Sequence, residues 1–168
     1  MNLIIICVET RKRANTDPAY IDNAIKHFYK IDNQTRILYK YFDGKCKYKK
    51  RAFINEIKDD RKAKAVSHSS VIYCIDTDKL SDPDRKKEND AIKVFCQSKG
   101  YYFVWMCESV EEVFLHKKVP DSSKVDEAKR FARTGGIGVA TKQTLSSQGI
   151  KNQRSNLLTV LDKILTRK

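Results

Sequence analysis

The chain has 168 residues, of which 40% are hydrophobic and 33% are charged, and its formal net charge is +13. A chain of this length can bury the core of one domain, and it has no apolar run near the roughly 20 residues that a membrane-spanning helix needs. The 34 Lys and Arg residues against 21 Asp and Glu favour a polyanionic partner, chiefly nucleic acid. A basic surface that is merely solvated is the alternative.

The five cysteines indicate a reducing compartment. Their number is odd, no two have CxxC spacing, and Cys7 and Cys74 lie within apolar runs, where a free thiol behaves as a small hydrophobic group. We therefore expect free cysteines and a cytoplasmic protein.

Apolar runs and helical spacing predict alternating strands and helices. Strands are expected at 3–8, 36–42, 70–75 and 101–106, with helices at 18–30, at 48–65, from 81 to Gly100 and from Ser109 onward. Asp17 and Pro18 suit the N-cap and first position of the first helix. This alternation predicts an α/β fold with a mostly parallel sheet flanked by helices.

The pattern changes after Pro120. A short helix is expected near 123–133, then TGGIG at 134–138 and a polar segment, and finally an amphipathic helix at 154–166. TGGIG fits either a phosphate contact or a hinge. We expect an α/β domain at 1–118 and a C-terminal helical extension at 119–168 that packs on the same domain.

Acidic residues follow the predicted strands. Glu9 ends the first strand, Asp76 and Asp78 end the third, and Glu112 lies among the acids after the fourth. In open parallel sheets, ligands bind at the carboxyl ends of the strands. If the first and third strands are neighbours, Glu9, Asp76 and Asp78 converge, and so many carboxylates need a compensating cation. Mg²⁺ or Mn²⁺ suits oxygen ligands. Polar strand ends that merely cap turns are the alternative.

The glutamate directly after a first apolar strand (IIICVE) and the Asp-x-Asp directly after a later one (VIYCIDTD) resemble the Toprim domain of topoisomerases, primases and OLD-family nucleases. This resemblance covers about residues 3–115. Within that class the chain looks most like the small RloB-like proteins associated with prokaryotic phage defence. That likeness rests on CVET at 7–10, CESVEEVFLHK at 107–117 and KNQRSNLLTVLDKIL at 151–165. Thr10 stands where those proteins have glycine.

The resemblance implies a Mg²⁺- or Mn²⁺-dependent nuclease that hydrolyses phosphodiester bonds in RNA or DNA. Asp76 and Asp78 would be metal ligands, Glu9 a ligand or general acid/base, and Glu112 part of a second metal position. Lys79, with Arg11 and Arg13, would stabilise developing negative charge or hold nucleic acid. A partner ATPase of a defence system is also implied.

Lys49, Lys50 and Arg51 open the basic stretch at 47–64, which we expect to contact nucleic acid. A non-catalytic module that uses this stretch to bind nucleic acid or a partner protein is the main alternative to the nuclease. A phosphohydrolase forming an aspartyl-phosphate is a third reading, although such enzymes place the nucleophilic Asp where this chain has Glu9. The oligomeric state stays open, and a homodimer is compatible with the sequence.

Overall fold

A computed structural model describes residues 1–14 and 16–168 and contains a four-stranded parallel sheet flanked by helices. The sheet order is β3-β1-β4-β5, with β1 at Asn2–Val8, β3 at Thr35–Tyr41, β4 at His68–Asp76 and β5 at Tyr102–Met106. The helices are α1 (Thr16–Phe28), α2 (Arg51–Arg61), α3 (Pro83–Lys99), α4 (Val110–Leu115), α5 (Lys124–Thr134), α6 (Lys142–Leu145) and α7 (Leu157–Leu161). A small antiparallel pair joins β2 (Tyr29–Lys30) to β6 (Thr166–Arg167). The predicted α/β class with a mostly parallel sheet is confirmed.

The continuous apolar run of β1 is explained by burial on both faces of the sheet. Successive side chains of a strand point to opposite faces, so Ile4, Ile6 and Val8 join one core cluster while Leu3, Ile5 and Cys7 join the other. The first cluster also takes residues from α1, α4, α5 and α7, and the second takes residues from α2 and α3. A strand covered on both sides needs no polar alternation.

Local signals fix the ends of α3 as the sequence predicts. The Asp82 side chain accepts hydrogen bonds from the backbone N–H groups of Asp84 and Arg85, Pro83 takes the first turn, and Gly100 ends the helix in the left-handed conformation. These are the capping arrangements that begin and stop helices. The start of α1 differs from the prediction, because the helix begins at Thr16 and Asp17 lies inside its first turn.

The long helix predicted at 154–166 is wrong. The α-helix covers only Leu157–Leu161, and the chain then reaches β6. Ser155 and Asn156 are instead hydrogen-bonded to β5, where the Ser155 hydroxyl donates to the Trp105 carbonyl at 2.7 Å. These tertiary bonds outweigh helix propensity before residue 157, and the pairing with β2 does so after residue 165. Leu157, Leu158 and Leu161 are still buried in the same core as β1.

No helix within the described ranges, 1–14 and 16–168, is long and apolar enough to cross a membrane.

The connections of the sheet define one point where the strand order reverses. The chain goes from β1 to β3 on one side and then crosses to β4 on the other side of β1. Clefts at such points, outside the carboxyl ends of the strands, are where open α/β sheets bind ligands.

Candidate active site at the carboxyl end of the sheet

The parallel pairing of β1 with β4 brings their carboxyl ends together. The register pairs Val8 with Cys74, so Glu9 and Asp76 follow at the same edge of the sheet. The condition set by the sequence, that these two strands be neighbours, is therefore met. Both carboxylates lie at the reversal point of the strand order.

Asp76 lies in an environment that disfavours its ionised form. Burial is the main cause that raises the pKa of Asp76 well above its ordinary value, and the carboxylates of Asp17, Glu111 and Glu9 raise it further. The Lys124 ammonium, from α5, opposes this effect. Four acids therefore share one region at the end of β1 and β4, and a nearby cation only partly compensates them.

Glu9 is held in a similar state. Burial chiefly raises the pKa of Glu9 from 4.5 to about 7; the Asp78 and Asp17 carboxylates add to this, while Lys45 lowers it. The Glu9 Oε2 atom is buried, and no hydrogen-bond partner is found for it among the described residues. A carboxylate with this pKa and an unpaired oxygen is suited to exchanging a proton near neutral pH.

Lys45 is a site residue that the sequence did not single out. It is buried, with 2% of its side chain exposed, and its Nζ atom is paired with Asp78 Oδ2. The loop after β3 brings it there, because the Gly44 N–H donates to the Glu9 carbonyl at 3.0 Å. Arg85 Nε lies 4.0 Å from the same Asp78 oxygen. Asp78 is thus neutralised by cations, unlike Asp76.

Asp17 and Glu111 are the other members that sequence reasoning missed. Asp17 is buried in the first turn of α1, and burial together with the Glu111 carboxylate raises its pKa. Glu111 is only 1% exposed, and its Oε2 atom is buried without a hydrogen-bond partner in the described part of the chain. Helical spacing could have identified Asp17, because Tyr20 and Ile21, three and four residues later, lie on the same buried face of α1.

Glu112, the glutamate chosen from the sequence, lies on a different side of α4. Its pKa is raised by partial burial and by Glu108, while Lys118 lowers it. Lys118 Nζ is 3.3 Å from the Glu108 carboxylate. The structure therefore brings Glu111 to the Asp76 cluster and leaves Glu112 beside Glu108 in the neighbouring cleft.

The loops after β4 and β5 are tied to each other. The Asp78 N–H donates to the Glu108 carbonyl at 3.0 Å, and the Glu108 N–H donates to the Thr77 hydroxyl at 2.8 Å. Asp78 and Glu108 both adopt positive φ, 56° and 59°, which is uncommon for residues other than glycine. Strained backbone of this kind is found preferentially at functional sites.

A cleft of about 520 Å³ opens beside these loops. Asp78, Lys79, Glu108, Glu112, Lys118 and Lys124 are among the residues that line it. Acids occupy its wall, and three lysines stand around them. Such a mixture fits a ligand that carries both phosphate groups and an associated cation.

The basic residues expected to hold nucleic acid lie outside this cleft. Arg11 is exposed, and its Nε is 2.7 Å from Asp43, while Arg13 is exposed on the same loop. Lys49, Lys50 and Arg51 are exposed at the start of α2, and Lys49 Nζ stands 5.6 Å from the Tyr48 ring centre. Lys49, Lys50 and Arg51 thus give the start of α2 an exposed basic surface.

Across residues 1–14 and 16–168, no group of three or more His, Cys, Asp or Glu side chains is arranged to hold a metal ion. The acids interact through the poorly screened interior over distances longer than the roughly 2 Å bonds of a Mg²⁺ shell. Lys45 is ion-paired with Asp78, and Lys124 is ion-paired with Asp121. Side-chain rotation would be needed to bring the Glu9, Asp76 and Glu111 oxygens onto one ion.

No protein-family model, curated protein or solved structure was found to match this chain. Functional inference therefore rests on the motifs and on the geometry of the site.

Proposed function

We propose that the chain is a metal-dependent phosphodiesterase of the Toprim type that cuts nucleic acid. The observation that carries this proposal is the convergence of Glu9, Asp17, Asp76 and Glu111 at the reversal point of a parallel sheet. Burial is the main cause that raises the pKa values of Glu9, Asp17 and Asp76, and neighbouring carboxylates raise them further, so ionising these acids together requires compensating positive charge. A divalent cation is the simplest ligand that would supply it.

The donor set fits Mg²⁺ or Mn²⁺ in its chemistry. All members are carboxylates, the ligands that hard cations prefer, and the unpaired Oε2 atom of Glu111 is free to ligate. Asp76, Asp78 and Glu111 would hold the ion, and Glu112 would contribute from the cleft side. A cation bound there supplies stabilisation of the negative charge that develops on a phosphate and promotes attack by water.

The chain's own side chains have separate tasks in this proposal. Lys79 and Lys118, on the cleft wall, bind the oxygens of the scissile phosphate and stabilise the charge that grows on them. Glu9, with a pKa of about 7, takes a proton from the attacking water at its unpaired Oε2. Lys45 orients Asp78 through its buried ion pair.

Nucleic acid is the proposed substrate because of the charge distribution. The net charge of +13 attracts a polyanion over long range, and the exposed cations at the start of α2 follow the site residue Lys45 closely in the chain. Lys49, Lys50 and Arg51 would contact backbone phosphates away from the cleavage point. A role in phage defence with a partner ATPase stays a prediction from the RloB-like resemblance.

The test is a cleavage panel with matched variants. Purified protein is incubated with tRNA, single-stranded RNA, single-stranded DNA and plasmid in Mg²⁺, Mn²⁺ or EDTA. We expect metal-dependent cleavage by the wild type and by Asp59→Asn, an exposed acid on α2, and none by Asp76→Asn. Thermal melting checks that both variants are folded. Equal cleavage by Asp76→Asn would overturn the proposal.

One observation favours a second candidate, a non-catalytic binding module. The acids, as placed, do not form a ligating group within the described chain, whereas the basic surface of α2 is fully exposed. A binding module would retain nucleic acid in a salt-sensitive way, and its affinity would be the same in EDTA, in Mg²⁺ and in the Glu9→Gln variant. Cleavage of any substrate in the panel excludes this candidate as the whole function.

A further inference from the structure

A second groove runs along the outer edge of β5, between α3 and α7. It has a volume of about 440 Å³ and is separate from the lysine-lined cleft. Thr77 is among its lining residues and lies between Asp76 and Asp78 in the chain. The Asn89 side-chain amide, from α3, donates to the Thr77 carbonyl at 2.9 Å. Through Thr77 the groove adjoins the segment that carries Asp76 and Asp78.

The lining of this groove combines amide groups with flat apolar surfaces. Asn89, Gln97, Gln148 and Asn156 supply the amides, and Tyr102, Phe103, Trp105 and Ile150 supply apolar wall. The Asn89 Oδ1 atom is buried, and the described residues offer it no hydrogen-bond partner. The amides of Gln97 and Gln148 are exposed and present donors and acceptors to the groove. Nucleobases carry such donors on their edges.

The groove does not suit a peptide that adds a strand to the sheet. Asn156 already occupies the β5 edge, since its side-chain oxygen accepts from the Trp105 N–H at 2.9 Å and its amide donates to the Phe103 carbonyl at 3.0 Å. Strand addition needs those backbone groups. The groove therefore offers a ligand side chains, not free backbone groups of β5, and one of these side chains is Ile150, which is 49% exposed.

The charges at the groove favour a polyanion. Lys93 and Lys163 are exposed on its lining, against the single acid Asp90. A nucleic-acid strand whose phosphates contact these lysines would place its bases against the apolar wall of the groove. Bases can do this only when they are unpaired, because pairing turns their edges inward in a duplex.

We infer that the β5-edge groove binds unpaired nucleotides of a single-stranded nucleic acid next to the phosphate that the acid cluster cuts. The inference deepens the proposed function and rests on it for the identity of the substrate. It assigns the protein a preference for single-stranded regions. It also assigns base contacts to Gln97.

The chain offers a built-in probe, because Trp105 is its only tryptophan and lines the groove. In EDTA, Trp105 emission is titrated with a short single-stranded oligonucleotide, the same strand made of abasic sites, and a duplex of the same sequence. We expect emission to change with the single strand and binding to be at least about tenfold weaker for the abasic strand.

Two variants test the lining, each with a matched control. Ile150→Ala and Lys93→Ala should each weaken the single-strand affinity by about five- to tenfold. Ile31→Ala, which removes another exposed isoleucine, and Lys86→Ala, on the same helix as Lys93, should bind like the wild type. Unchanged melting temperatures exclude misfolding as the cause.

The outcomes separate this inference from the proposed function. Equal affinity for abasic and intact strands, or equal loss in the control variants, would overturn the groove as a base-binding site even if the protein cleaves nucleic acid. A base-dependent emission change from a protein that cleaves nothing would support the groove and contradict the nuclease.

Discussion

The substitution Glu9→Gln tests the charge imbalance at the site directly. Each pKa unit corresponds to about 1.4 kcal/mol, so raising the pKa of Glu9 from 4.5 to about 7 makes its ionisation cost the folded state on the order of 3 kcal/mol. Glutamine has the same shape without the charge. We expect Glu9→Gln to raise the free energy of unfolding by about 2 kcal/mol at pH 8 in EDTA, because its amide still lacks a full set of partners.

The sign of the pH dependence follows from the direction of the shift. The folded protein holds the Glu9 proton between pH 4.5 and about 7 while the unfolded chain has lost it, so wild-type stability falls as pH rises through this window. The advantage of Glu9→Gln should therefore be near zero below pH 4.5 and complete above pH 7. For a chain of this size, about 2 kcal/mol corresponds to a melting temperature about 4 to 8 °C higher.

The assay is thermal and urea denaturation at pH 4.5 and pH 8 in EDTA. Glu56→Gln is the matched control, since Glu56 is exposed on α2 and lies 3.5 Å from Lys40, and it should give no gain. A loss of stability in Glu9→Gln at pH 8, or a gain of the same size at both pH values, would refute the electrostatic reasoning.

Three further predictions concern the same region and its support. Millimolar Mg²⁺ or Mn²⁺ should raise the wild-type melting temperature by several degrees, and by more at pH 8 than at pH 5.5, because the ligands must be ionised. If the melting temperature does not rise at either pH, or rises equally in Asp76→Asn, the cluster does not bind the cation. Lys45→Met should lower the free energy of unfolding, measured in urea, by about 1 to 2 kcal/mol. This is less than for a fully buried ion pair, because the Asp78 carboxylate is 41% exposed. Lys47→Met, the control, should change the free energy of unfolding little, and equal effects of the two substitutions would contradict the prediction. Gly138→Ala should cost at least about 2 kcal/mol by the same measurement, because φ is +63° and a Cβ atom would lie 2.3 Å from a backbone oxygen. Gly149→Ala, with open space around it, is its control.

The positions of the four parallel strands and of the first acids were predictable because they depend on short-range patterns, whereas the order of the strands in the sheet was not predicted. Apolar runs identified all four parallel strands, and Glu9 and Asp76 follow two of them directly. The choice between Glu111 and Glu112 depended on helical phase. With Val110, Val113 and Phe114 buried, Glu111 lies closer to the inward face of α4 than Glu112 does.

Other features depend on contacts that no local pattern records. Lys45 reaches Asp78 only because the loop after β3 folds over the end of β1. The last helix is shorter than its leucine spacing predicts, because Ser155 and Asn156 bond to a strand about 50 residues earlier. Long-range hydrogen bonds of this kind override helix propensity.

The Asn156 contacts also govern how copies of the chain can associate. Its side chain imitates the backbone of a fifth strand at Phe103 and Trp105, so the β5 edge is closed there to the addition of a strand from another chain. On the other side, β3 has no strand partner beyond β1 in the described ranges. A sheet with one closed edge and one open edge can be continued by a second copy about a twofold axis, but not by a third. Asn156 thus blocks strand pairing at the β5 edge and leaves β3 as the edge of the sheet that is open to it.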